Sequence, residues 1–404
     1  MFTMSKILEW LNSETRSIKK THSSPPIDSI EQNDDLYAQW DDGEEEEGES
    51  LSAQYHIGIV RKLMFIAICV AITFLAAGFI ITQEDGYAID FLDVYKIFFN
   101  HIINGAPDAE SDGWNAYFDD YVVWELRFPR IAVGIVAGFG LAVAGAVMQS
   151  TMKNPMADSY TTGVSSGAAF GAALAIVYDV TVINSDTSLL ALAFIFSLVP
   201  TTLIALMSRF RKMSATSMIL TGMAVMYIFS ACTTALKLWA DPDALSSLYR
   251  WQVGSLNNML WSDFPMMCTV TVLGTIVIML LSNRINILSS GDESAKSLGI
   301  DANKLRIICL LLASLITASI VCYVGTIGFV GLVAPHIARI FVGSDNRYLI
   351  PAGASFGAML MIIADYLGRT ILSPAVLEVG VVTAFIGGPL FLWLIIRQRR
   401  EVWT

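Results

Sequence analysis

Apolar residues fall along this chain in blocks of about twenty, each closed by a short polar stretch. Such a block is what a helix needs to cross a bilayer, because every backbone amide in hydrocarbon must be satisfied within the segment. The blocks predict membrane-spanning helices at 61–82, 128–149, 161–180, 188–208, 216–239, 262–282, 304–324, 327–342, 349–368 and 378–396. Spans 161–180 and 327–342 are short or rich in Gly and Pro. Ten spans make an all-α polytopic membrane protein.

Lys and Arg in the short connections orient the spans, since such loops stay in the cytoplasm. Arg61, Lys62, Lys153, Arg209, Arg211, Lys212, Arg284, Lys296, Lys304, Arg306, Arg339, Arg347 and the "RQRR" run at 397–400 all fall on one side when ten spans are threaded. Both termini are then cytoplasmic. The opposite face receives the long segment 83–127, the "ALSSLYRWQVGSLNNMLW" loop and the "RTILSPAVLEVG" connection.

Composition sharpens this picture. The chain is 54% hydrophobic and 15% charged, against roughly 25% charged in a soluble domain. Its net charge of −11 is localised, because residues 1–55 hold 13 acids and 4 bases while the rest hold 23 and 21. Residues 1–60, with "DDGEEEEGES" at 41–50, are expected to be an acidic, largely disordered cytoplasmic tail, and 61–404 the membrane domain. The first apolar run follows this tail and has no cleavage pattern, so it is expected to stay in the membrane. Five isolated cysteines behave as small hydrophobes. The four histidines do not cluster, so no metal site and no cofactor are expected; His336, beside Pro335, is read as a structural hydrogen bonder.

Two features sit on the second span. Gly134, Gly138, Ala142 and Gly145 recur every three to four positions and form a smooth face for close helix packing. At its head, "RFPR" sets Arg127 and Arg130 three apart around Pro129, a residue suited to a first helical turn. Taken alone, the pair reads equally as outward docking contacts or as arginines that snorkel to anchor a helix end. Gly145 precedes Pro155 by ten positions, as Gly325 precedes Pro335, a spacing that suggests a faint inverted repeat.

The stretches "RFPRIAVGIVAGFGLAVAGAVMQSTMKNPMA", "WQVGSLNNMLW", "SGDESAKSLGID", "GTIGFVGLVAPHIARIFVGSDNRYLIPAG", "IIADYLGR" and "EVGVVTAFIGGPLFLWLI" resemble the FecCD-type permeases, in order, from about Arg127 to Arg397. These are membrane subunits of ATP-driven importers for ferric siderophores, haem and vitamin B12. The resemblance implies a ten-helix subunit of type II importer architecture in a bacterial or archaeal cell membrane. It also implies a second permease chain, two cytosolic ATPases and an extracytoplasmic binding protein as partners. By the same resemblance Arg127, Arg130 and Arg369 dock the binding protein. A cytoplasmic coupling element at about 288–303, with Gly291, Asp292, Glu293, Ala295, Leu298 and Gly299, meets the ATPase. Ala295 and Leu298, three apart, would form its apolar ridge. Gly134, Gly138, Gly145, Asn154, Pro155, Gly325, Gly328 and Pro335 are packing or gate positions. The chain departs from the pattern at Lys153 in "KNPMA" and at Val379, where a proline is usual.

The implied cargo is an iron chelate, a siderophore before vitamin B12, with haem also open. An ion-coupled secondary transporter would need ionisable groups deep in the bundle, whereas Asp158, Asp365 and Glu378 lie at predicted span ends. A receptor or scaffold leaves the coupling motif unexplained. The chain holds no GxxxxGK[ST] phosphate loop, so nothing in it can cradle a nucleotide. The purified chain, freed of contaminating ATPase, is therefore expected to hydrolyse no ATP, and turnover above background in a phosphate-release assay would contradict this reading.

Overall fold

The computed structural model describes residues 35–82, 87–181, 185–210, 213–373 and 375–397. The chain divides into a unit of residues 1–58 and a unit of residues 59–404. Its helices are α1 (Asp35–Thr82), α2 (Phe91–Asn104), α3 (Trp114–Tyr121), α4 (Phe128–Met152), α5 (Val164–Tyr178), α6 (Ser185–Phe210), α7 (Ala215–Lys237), α8 (Pro242–Val253), α9 (Phe264–Ser290), α10 (Asp292–Ser297), α11 (Ala302–Val324), α12 (Val330–Val342), α13 (Asn346–Thr370) and α14 (Val379–Arg397). No strand occurs among the described residues.

Among the described residues seven helices are long and apolar enough to cross a membrane, and three shorter apolar ones, Val164–Tyr178, Val330–Val342 and Val379–Trp393, stand at the remaining predicted positions. The shorter ones have local causes. Helix α5 starts after Gly163 at φ 91° and ends on Asp179 at φ 47°, so left-handed residues bound it on both sides. Helix α12 is entered through Phe329 at φ 68°, a conformation rare for a bulky residue. Phe329 is packed on Gly387, where a Cβ would collide with it.

Polar residues begin several of the long helices by accepting an orphan amide of the first turn. Ser214 accepts from Ser217 at 3.2 Å, Asp301 from Lys304 at 3.1 Å and Asp345 from Arg347 at 3.0 Å. The acidic stretch from Asp35 onwards lies in α1; glutamate is a good helix former and acids suit a helix N-terminus. The remainder of the expected tail, 1–34, lies outside the described residues.

Helix α4 is the centre of the second unit. It packs on α13, α11, α9 and α12, and its apolar window is 83% buried, against 17% for α7 and 22% for α9. The small-residue face explains how four neighbours fit. A Cβ on Gly138 would strike the carbonyl of Gly357 on α13, and one on Gly145 would strike the carbonyl of Gly331 on α12. Gly134 is looser, facing only the side-chain ends of Leu256 and Ile362 at 3.0 and 3.1 Å. The paired spacing of Gly145–Pro155 and Gly325–Pro335 does not mark a repeat. Gly145 lies inside a helix and Pro155 in a turn, whereas Gly325 caps α11 and Pro335 is inside α12.

A methyl group at Gly145 has only backbone to displace. Gly145→Ala is therefore expected to destabilise the protein by about 1–3 kcal/mol, the usual range for overpacking. Gly58→Ala, which meets nothing within 4 Å, should be neutral or slightly stabilising. Thermal unfolding of the two purified variants in one detergent checks the contrast.

Candidate functional site

One end of α4 opens on a cavity. Upstream of Phe128 the helix does not stop: a π-helical turn, Val122–Arg127, joins it to α3. Pro129 has no N–H to give, and a wide turn before it absorbs the missing bond. This continuation moves the RFPR arginines away from a helix head. Arg127 and Arg130 do not face outward as expected but are 5% and 4% exposed.

Each arginine has acceptors within the chain. Arg127 donates to the carbonyls of Ile81 and Tyr87, the latter at 2.7 Å, and so ties the end of α1 to α4. Arg130 forms an ion pair with Asp365 of α13, and both side chains are nearly dry. Arg369, half-buried, donates to Asn257 Oδ1 at 2.8 Å, and Asn257 Nδ2 donates to Glu378 at 3.1 Å. These three arginines and the exposed Arg250 line a cavity of about 1050 Å³, which Glu125 and Glu378 share. With Arg130 balanced by Asp365, three cations against two anions leave its wall weakly positive.

Backbone bonds close the cavity floor. Ser255 N donates to Val324 O at 2.9 Å and Gly380 N to Gly254 O at 3.1 Å, which pins α8, α11 and α14 together. Below them the Gly325–Phe329 link is held by Tyr160, whose hydroxyl accepts from Ile327 N at 2.7 Å, and by Thr326 bonded to the Gln252 carbonyl. Gly325 adopts φ 71° with the Trp251 carbonyl against its Cα, whereas Gly328 faces open space. Asn154 and Pro155 lie far along the chain from this link, in the turn after α4, where Asn154 Oδ1 accepts from Met156 N at 2.9 Å. Pro335 packs on Gly353.

The other end of α4 carries a second charged group. Gly291 turns the chain from α9 into the short helix α10, and Gly299 at φ 76° turns it out again. The expected Ala295–Leu298 ridge is split: Ala295 is fully buried, while Leu298 is 65% exposed. A helix this short shows its inner face to the bundle, and Ala295 joins the main core with Ile285 and Leu288. Glu293 is exposed. Asp292 bonds inward, to Lys153 Nζ at 3.0 Å and to both terminal nitrogens of Arg306, one at 2.8 Å. Arg306, and then Lys153, hold its carboxyl down at about 2.

Reading the sequence missed Lys153 and Arg306 as partners of Asp292, having used both only as orienting charges. The unusual lysine of "KNPMA" was the available signal. His336 is buried near Phe391, and its Nδ1 meets no hydrogen-bond partner, so that nitrogen does not make the expected structural bond. Among the described residues no three His, Cys, Asp or Glu converge in a way that could hold a metal.

Comparison with known proteins fits this geometry. The model of the FecCD transport family matches residues 69–397. The hemin transport system permease protein of Yersinia pestis is 37% identical over 297 residues, covering 71% of this chain and 88% of that one. The cobalamin import system permease protein of Halobacterium salinarum is 37% identical over 282 residues, 70% of this chain and 74% of that one. A solved structure described as an inward-facing metal-chelate type ABC transporter superposes with a TM-score of 0.71 at 28% identity, covering 82% of this chain and 99% of that one.

Breaking a buried ion pair costs about 3–5 kcal/mol, because the surviving charge keeps its desolvation penalty, whereas replacing both partners by apolar groups is often neutral. Arg130→Ala, which removes the counter-charge of Asp365, is expected to lower stability by that amount. Arg130→Met with Asp365→Leu should recover most of it. Chemical denaturation of the three proteins reports the difference.

Proposed function

Because this chain belongs to the FecCD transport family, we propose that it is the membrane-spanning permease of an ATP-binding cassette importer that carries a ferric siderophore into the cytoplasm. As a permease subunit it is not an enzyme by itself. Two cytosolic ATPases meet α10, an extracytoplasmic binding protein delivers cargo at the Arg127 end, and a second permease chain completes the path. The permease domain is 61–404 and residues 1–60 are an appendage to it. The Lys and Arg bias sets both termini and α10 on the cytoplasmic side.

The observation that carries this reading is the pair of charged regions at opposite ends of α4, a positive cavity at one and the α10 cluster at the other. An importer needs both, one to receive cargo and one to receive work. The cavity wall favours an oxygen-rich chelate, since Arg250, Arg369, Asn257, Asn258 and Tyr323 all present hydrogen-bond donors. Haem and vitamin B12 are the alternatives within the family.

Docking falls mainly to the half-buried Arg369 and less to Arg127 and Arg130, which are almost fully buried. Charge at a polar rim sets encounter and register, and it is screened over about 8 Å at physiological salt. Cells lacking the chain are therefore expected to lose uptake of a ferric hydroxamate siderophore and to keep that of hemin and cobalamin. Loss of hemin or cobalamin uptake instead would reassign the cargo, and no loss with any of the three would reject transport. In complemented cells Arg369→Glu should cut uptake most at low salt with membrane insertion unchanged, whereas wild-type uptake would remove the docking role.

A further inference from the structure

Helix α4 ends at Lys153 in the left-handed conformation, φ 51° and ψ 38°. Glycine or asparagine usually fills such a position, because a Cβ is crowded there. The lysine has a use: its ammonium lies 3.0 Å from Asp292, the first residue of α10. Just before it, the last turn of α4 leaves carbonyls without intrahelical partners. The Thr151 carbonyl is taken by Arg306 Nε at 3.1 Å.

Arg306 belongs to α11, and its side chain is 4% exposed. A guanidinium is planar, always charged and equipped with donors in a fixed fork. Here the fork is divided, with Nε on the α4 terminus and the two outer nitrogens on the Asp292 carboxylate. Asp292 therefore grips α4 twice, through Lys153 and through Arg306, and grips α11 once. Both of its oxygens face inward partners, while Glu293 and Leu298 are exposed.

We infer that Lys153, Asp292 and Arg306 form an ionic clamp that fastens α10 to the ends of α4 and α11, so that displacement of α10 is delivered to the cargo path. This rests on the reading of α10 as the ATPase-facing element. The three residues are assigned as positioning residues, acting through the placement of α10. Asp292 is the bonded species when ionised, so the clamp is complete above the ordinary carboxylate range and loosens only as pH falls toward about 2. It is a mechanical link and not a physiological pH switch.

The test uses the whole transporter, purified through a tag on this chain together with its copurifying ATPase and binding protein, and reconstituted in liposomes. Two quantities are measured for wild type, Asp292→Asn, Asp292→Glu and the milder Lys153→Met. The first is amide hydrogen exchange over residues 292–297. The second is ferric hydroxamate, hemin or cobalamin imported per ATP hydrolysed, whichever of the three the wild type carries. Asp292→Asn is expected to speed exchange about tenfold by local opening and to lower import per ATP severalfold while hydrolysis continues. Lys153→Met should do so partially, and Asp292→Glu should restore most of the loss.

Unchanged exchange in both Asp292→Asn and Lys153→Met would overturn the clamp. Faster exchange with unchanged import per ATP would overturn its transmitting role and leave an ordinary structural ion pair. If Asp292→Asn fails to assemble, Lys153→Met alone decides by the same two criteria. Failure of the functional reading looks different: wild type would import none of the three chelates, while the exchange data would still report on the clamp.

Discussion

The closeness of α4 to its neighbours sets the geometry of the bundle. Where Gly138 meets Gly357 and Gly145 meets Gly331, backbone lies on backbone with no side chain between. In a bilayer no hydrophobic gain drives helices together, since lipid tails are as apolar as leucine, so dispersion between well-fitted surfaces carries the association. Two such contacts on one helix fix its position relative to α12 and α13 together. The arginine cavity and the α10 cluster then inherit a fixed separation, because both are attached to the ends of that helix.

Charge is treated differently at the two ends. Near the cavity, Arg130 is paired with a buried carboxylate and Arg127 is hydrogen-bonded to backbone carbonyls, so much of the positive charge there is committed to holding α1, α4 and α13. Arg250 and Arg369 lie nearer the surface and set the character of the wall. At the other end, the half-exposed Asp292 is shared between a buried arginine and a partly exposed lysine. The first arrangement stabilises the interior, and the second spans a junction between elements.

Much of this was legible in the sequence, for identifiable reasons. Span positions follow from hydropathy because the bilayer imposes a length, and the glycine face follows from period because α4 is regular. Side-chain direction was harder to read. "RFPR" reads as the head of a helix only if the chain stops upstream, and nothing in 114–126 announces that α3 and a π turn continue it. Ala295 and Leu298 share a spacing, but the helix is six residues long and ends at Ser297, so Leu298 lies just past it and is exposed while Ala295 is buried. Lys153 and Asp292 are 139 positions apart, a pairing that no local pattern encodes.

The glycine contacts also restrict how the molecule can move. Turning α4 about its axis by one residue step, about 100°, would bring a neighbouring residue such as Phe139 toward the place now held by Gly138, and the Gly357 carbonyl leaves no volume for a ring. Sliding α4 along α13 by one residue meets the same obstacle. Axial rotation and piston travel of α4 against α13 are thereby closed off, and what stays open is tilting of α4, α12 and α13 as one block. Helix α9, whose apolar window is mostly unburied, meets its neighbour at Gly274 through the Ile316 side chain rather than through backbone. Relative motion is therefore cheaper between that block and α9 than within the block.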